Sequence, residues 1–143
     1  MNSRNTIVAI ALAMGLLPAS VLADVVAVVS VDSPVTTLTK NQLTDIFLGK
    51  ATRFPDGTLA VPVDQAEGSS ARDEFYLKVA GKSAAQLKAY WSKIIFTGRG
   101  QPPPVVANGV ELKRRLGQGT AVIGYIDASL VDDSVRVVLR PGG

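Results

Sequence analysis

The sequence predicts an α/β sandwich, a mixed sheet flanked by helices, and three observations predict it. Residues 25–30 form a continuous, largely β-branched run, which suits a strand buried on both faces. Two segments open with capping boxes, Thr39 to Gln42 and Ser83 to Gln86, and each leads into apolar residues at helical spacing. Two short apolar runs near the end, 121–126 and 135–139, read as closing strands. Strands alternating with helices in a chain of this size make a layered single domain with one core.

The elements follow in order. Asp32-Ser33-Pro34 ends the first strand. After the Thr39 cap, Leu43, Ile46 and Phe47 form an inward helical stripe, and Gly49 is the stop. Phe54-Pro55-Asp56-Gly57 is a turn, and residues 59–63 form a second apolar strand interrupted by Pro62. Gly68-Ser69-Ser70 opens a helix with Phe75 and Val79 facing inward, ended by Gly81. The Ser83 box starts the best amphipathic helix of the chain, with Leu87, Tyr90, Trp91, Ile94 and Ile95 on one face. Residues 97–104 are a Gly/Pro loop, and residues 105–116 are expected to be helical.

The first 23 residues read as an address. Arg4 supplies a positive start, residues 7–17 an apolar run, and Val21-Leu22-Ala23 a small-residue cleavage site. The apolar run is shorter than the roughly 20 residues that span a bilayer. Cleavage after Ala23 leaves residues 24–143, 143 − 23 = 120 residues, as an exported, periplasmic domain.

Composition narrows the chemistry. The chain has no His and no Cys, so a Ser–His–Asp triad, a Cys nucleophile, a disulfide and a Cys/His zinc site are all excluded. No acidic run has the spacing of a calcium loop, and no metal or other cofactor is expected. A formal charge of +3 does not point to nucleic acid but is compatible with an anionic ligand. Asp56, Asp64 and Glu67 are the carboxylates available for acid/base work, and nothing in the sequence brings two of them together. The expectation is therefore not an enzyme.

The stretch from Asp64 to Phe75 is the most suggestive. A strand runs through a Gly-Ser-Ser turn straight into a helix, whose first N–H groups are unpaired and carry the positive end of the dipole. Gly68, Ser69, Ser70 and Arg72 are the candidate anion-binding residues: a turn, two hydroxyl donors and a charge in the first helical turn. The same residues also fit an ordinary helix start, because Ser70 with Asp73 three positions on resembles a capping box. Thr97-Gly98-Arg99-Gly100-Gln101 is a second candidate, as a backbone anion nest or as a plain connection. Lys113-Arg114-Arg115 reads as a solvated helix face. Tyr90 and Trp91 read as core.

Several segments in sequence resemble a known family. Leu38-Thr39-Lys40 with Gln42-Leu43, Ile46-Phe47-Leu48-Gly49-Lys50, Phe54-Pro55-Asp56-Gly57, the Gly68-Ser69-Ser70 helix start and Ala121-Val122-Ile123-Gly124-Tyr125-Ile126 occur in this order. The pattern resembles the phosphate-binding proteins of bacterial ABC-type phosphate uptake, within the type 2 periplasmic binding superfamily. It covers nearly all of the mature chain and matches one lobe of a two-lobed protein, the second. The resemblance implies a single-lobe periplasmic-binding-protein-like domain that takes phosphate or a related oxyanion at Ser69 and Ser70. It implies ABC transporter membrane components as partners, and a second copy or a separate companion lobe to complete the site. Gln65 stands at the family's Arg, Ser70 at its Gly, Ala71 at its Thr, and Phe54 at its Trp. The alternative implied by those departures is a ligand-free interaction module that acts through a protein partner.

Overall fold

The computed structural model describes residues 24–142, so the expected leader at 1–23 lies outside the described residues. The strands are β1 (Val25–Ser30), β2 (Val61–Pro62), β3 (Asp64–Gln65), β4 (Val105–Val106), β5 (Val122–Asp127) and β6 (Val135–Leu139). The helices are α1 (Lys40–Phe47), α2 (Ser70–Ala80), α3 (Ala84–Phe96) and α4 (Gly109–Leu116). The sheet is mixed, in the order β2-β5-β1-β6, with β1 antiparallel to both neighbours and β2 parallel to β5.

β1 is buried at every position, and its alternating side chains serve two cores. Val25, Ala27 and Val29 join the larger cluster with Leu43, Phe47, Phe75, Leu87 and Trp91. Val26 and Val28 join the smaller one with Leu112, Leu116 and Ile126. Helices α1, α2 and α3 therefore cover one face of the sheet and α4 the other. Burying a side chain of this size contributes about 1.5–3 kcal/mol, so β1 is the spine of the domain.

The expected strand at 59–63 is instead two short ones that join the sheets. The N–H groups of Val61 and Val63 donate to β5 and its lead-in at Ala121 and Ile123, while those of Asp64 and Ala66 donate to Pro104 and Val106 on the other side. Pro62, between them, has no donor to give. This segment thus bridges β5 to the parallel β3–β4 pair.

Both capping boxes form as the sequence predicts, at Thr39 and Ser83. The helix expected at 105–116 is shorter, because Val105 and Val106 pair with β3 and Asn108 caps α4 by accepting from Glu111 N–H at 3.1 Å. The apolar face of α3 is only partly covered: Leu87 and Trp91 are buried, but Ile95 is 51% exposed. Gly124 is required by close approach, since a Cβ there would overlap the Leu112 side chain. That contact seats α4 on β5.

Candidate functional site

The bridging segment delivers a carboxylate into the interior. Asp64 follows the buried Val63, is only 2% exposed itself, and so must find partners within the chain. It accepts from Tyr76 Oη at 2.6 Å, from Tyr125 Oη, and from the Gln65 N–H at 2.9 Å. Arg72 Nε lies 3.5 Å from Asp64 Oδ1, and its guanidinium stands 5.6 Å over the Tyr76 ring. Burial first, and then the charge of Asp64, push both tyrosine hydroxyls far above the ordinary tyrosine range. Both remain proton donors to the carboxylate throughout the physiological range.

Secondary structure explains why these groups meet. Tyr76 projects from α2, one turn beyond Arg72, whereas Tyr125 projects from β5 immediately after Gly124. The Tyr125 ring stacks on Phe75 with centroids 4.2 Å apart, which fixes its direction. Tyr125 Oη also accepts from the Gln65 N–H at 3.1 Å, and the Gln65 side-chain amide donates to the Tyr125 carbonyl at 2.8 Å. Gln65 is therefore held in the core by β5.

Directly beyond Gln65 comes the start of α2. Gly68 has φ +90°, a turn conformation that side-chain-bearing residues rarely adopt. Ser69, not Ser70, is the N-cap: its Oγ accepts from Arg72 N–H at 3.3 Å, while its own N–H donates to Ala66. The capping-box reading of Ser70 and Asp73 is thereby corrected, because the chain enters the helix one residue earlier. Ser70 is the first helical residue and is exposed. Its N–H and that of Ala71 have no acceptor among the described residues. The structure thus brings Ser69, Ser70 and Arg72 to one helix start, but turns Arg72 inward on Asp64. The N–H groups of Ser70 and Ala71 therefore stand as unpaired donors among the described residues at the positive end of the helix dipole, with Arg72 and Asp64 paired behind them.

The other candidates separate. Asp56 accepts from Thr58 in the exposed turn, which lowers its carboxyl below the usual range. Glu67 is exposed and 3.9 Å from Lys88. The carboxylates therefore form no acid/base pair, and among the described residues no cluster of three or more can hold a metal. Residues 97–101 form no anion nest. Gly98 N–H donates to Ile95 and Arg99 N–H to Ile94, a Schellman turn that ends α3, with Gly98 at φ +67°. Lys113 and Arg114 pair with Asp132 and Glu111, as a solvated face does. Trp91 is core as expected, whereas Tyr90 is half-buried. Sequence reasoning missed the two tyrosines. The available signal was Asp64 itself, a carboxylate continuing a buried strand.

No protein-family model and no curated protein matches the sequence. Solved structures do. A protein from Clostridium perfringens, described as a phosphate ABC transporter substrate-binding protein with bound phosphate, is 28% identical with a TM-score of 0.62, over 80% of this chain and 44% of that one. An ABC-type phosphate transport receptor from Vibrio cholerae is 22% identical with a TM-score of 0.65, over 84% and 47%. PstS from Borrelia burgdorferi shares the fold at 15% identity and a TM-score of 0.56. The chain spans about half the length of these neighbours. None of the described helices is long and apolar enough to cross a membrane. The chain has the periplasmic-binding-protein-like fold of the phosphate ABC transporter substrate-binding proteins and is similar to them over four-fifths of its length.

Proposed function

We propose that this protein is an exported solute-binding module that takes phosphate or a related oxyanion at the start of α2 and serves ABC-type phosphate uptake. The observation that carries the reading is its likeness, at 28% identity, to a substrate-binding protein with bound phosphate. The unpaired N–H donors of Ser70 and Ala71 after the Gly68 turn support it, and Ser69 holds that turn in place. Arg72 contributes its charge from behind. Gln65, at the position of the family's Arg, keeps its amide on the Tyr125 carbonyl and donates nothing outward.

Binding by one open lobe is weak. Charge-assisted hydrogen bonds contribute about 1.5–3 kcal/mol each, and association costs about 4–15 kcal/mol in lost freedom. Three or four donors facing water leave a dissociation constant in the millimolar range or weaker. A second copy of the chain or a separate companion lobe closes the site, and transporter membrane components receive the loaded form. Calorimetric titration with phosphate, with sulfate as control, tests this. Saturable phosphate-selective heat that disappears in the Ser69→Ala, Ser70→Ala double variant supports the reading, provided circular dichroism shows the variant folded. Equal binding by wild type and double variant removes the site.

A second reading rests on a specific observation: Ser69 Oγ, Arg72 and Gln65 are all engaged within the chain. A lobe whose polar groups are spent on itself acts as an interaction module through a protein partner. Absence of any phosphate heat, with repeatable cross-linking to one periplasmic partner, selects it.

A further inference from the structure

A deep concavity lies away from the α2 start. It is a groove of about 770 Å³ at the opposite end of the bridging segment, where β2 and β4 begin. Two helix C-termini and a proline run build it. The Schellman turn after α1 places Gly49 at φ +75° with Lys50 beyond it, since Gly49 N–H donates to Ile46 and Lys50 N–H to Asp45. The corresponding turn after α3 places Arg99. Trp91, Ile94 and Pro103 supply apolar lining, and Gly49 lets the Trp91 ring approach, because a Cβ there would stand 3.3 Å from Cη2.

Charge in the groove has one sign. Lys50, Lys93 and Arg99 line it, no lining residue is acidic, and none of the three makes an ion pair among the described residues. The Trp91 indole N–H is buried without an acceptor among the described residues. The volume lies within the range of roughly 300–1,000 Å³ usual for small-molecule sites, which are apolar with a few placed polar groups. An inorganic oxyanion has no use for such an apolar lining, and a neutral apolar molecule leaves three cations unanswered. We infer that the groove binds an amphiphilic organic anion, an apolar body carrying one carboxylate or sulfonate head. The apolar body packs against Trp91 and Ile94, and the head pairs with Lys93 and Arg99. The site is independent of phosphate at α2.

Trp91 is the only tryptophan in the chain, so its fluorescence reports directly on the groove. The test titrates the purified protein with 8-anilinonaphthalene-1-sulfonate and follows Trp91 quenching, then adds decanoate as competitor. Saturable quenching reversed by decanoate and untouched by phosphate is the expected result. The Lys93→Glu, Arg99→Glu double variant weakens it on the order of tenfold or more. The Arg114→Glu, Arg115→Glu variant carries the same charge change on the α4 face and leaves affinity unchanged. Equal weakening by both double variants shows only long-range attraction and overturns the proposal, as does absence of Trp91 quenching. Ser69→Ala with Ser70→Ala leaves the groove affinity intact, so this site and the phosphate site fail separately.

Discussion

The two ends of the segment from Val61 to Ala66 solve opposite problems with the same strand. At its downstream end a carboxylate is buried, and the fold surrounds Asp64 with two tyrosines, a backbone N–H and Arg72. At its upstream end nothing polar is buried by the strand, and the space between α1, α3 and the proline run stays open. The first end answers its carboxylate from within and sets the position of a helix start, although Arg72 Nε is buried there without a hydrogen-bond partner among the described residues. The second keeps its cations unanswered. A buried charge compels the fold to supply partners, whereas exposed cations over an apolar lining leave the partner to come from outside.

The sharpest way to break this contrast is to remove Asp64. Asp64→Ala strands two buried hydroxyls and Arg72, and is expected to cost about 3–5 kcal/mol in urea unfolding. Lys93→Ala at the groove end is expected to stay within about 0.5 kcal/mol. Similar losses for the two would show that Asp64 is no more structural than a surface cation.

Gly124→Ala tests how β5 presents Tyr125. The added methyl meets Leu112, and overpacking of this kind costs about 1–3 kcal/mol. Loss of the near-ultraviolet tyrosine signal should accompany it if Tyr125 moves off Asp64. Ser69→Ala removes the α2 cap and is expected to cost about 1 kcal/mol by the same unfolding assay.

A pH titration separates the two ends without mutation. Tyr76 and Tyr125 hold their protons in the folded chain far above the range in which unfolded tyrosines ionise, near pH 10. Above that pH the unfolded chain binds fewer protons than the folded one, so this contribution is intact below pH ~10 and is lost as pH rises beyond it. Tyr125→Phe should flatten the alkaline fall in urea midpoint, and an unchanged slope would remove the tyrosines from the account. The smallest effect lies at Asp132, exposed and held well below the usual carboxylate range by Lys113 and Ser134. Its contribution is present above the ordinary carboxylate pKa and fades as pH falls through the lowered one. Asp132→Asn should therefore alter only the acid limb of the same curve, and slightly.

What was legible in the sequence follows the same division. Local rules carried the elements whose signals are local: the burial of β1 on both faces, the Thr39 and Ser83 capping boxes, and the glycine stops. The helix start at Gly68 to Arg72 was also found, although the cap fell on Ser69. The strand expected at 59–63 and the helix expected at 105–116 failed for one reason. β3 and β4 exist only because they pair with each other across forty residues, and two-residue strands carry no periodicity of their own. Tyr76 and Tyr125 converge on Asp64 from two elements, a meeting that spacing along one chain does not encode. The groove was hidden for the same cause, and Ile95, expected on the inward face of α3, proved exposed.

The central claim is that the α2 start receives an oxyanion, and amide-resolved NMR during a phosphate titration tests it most directly. The account predicts saturating shifts at the N–H groups of Gly68, Ser70 and Ala71, a dissociation constant in the millimolar range, smaller responses to sulfate, and unmoved groove amides at Gly49 and Gly100. Linear shifts spread over the surface lysines and arginines, with the helix start silent, would contradict it.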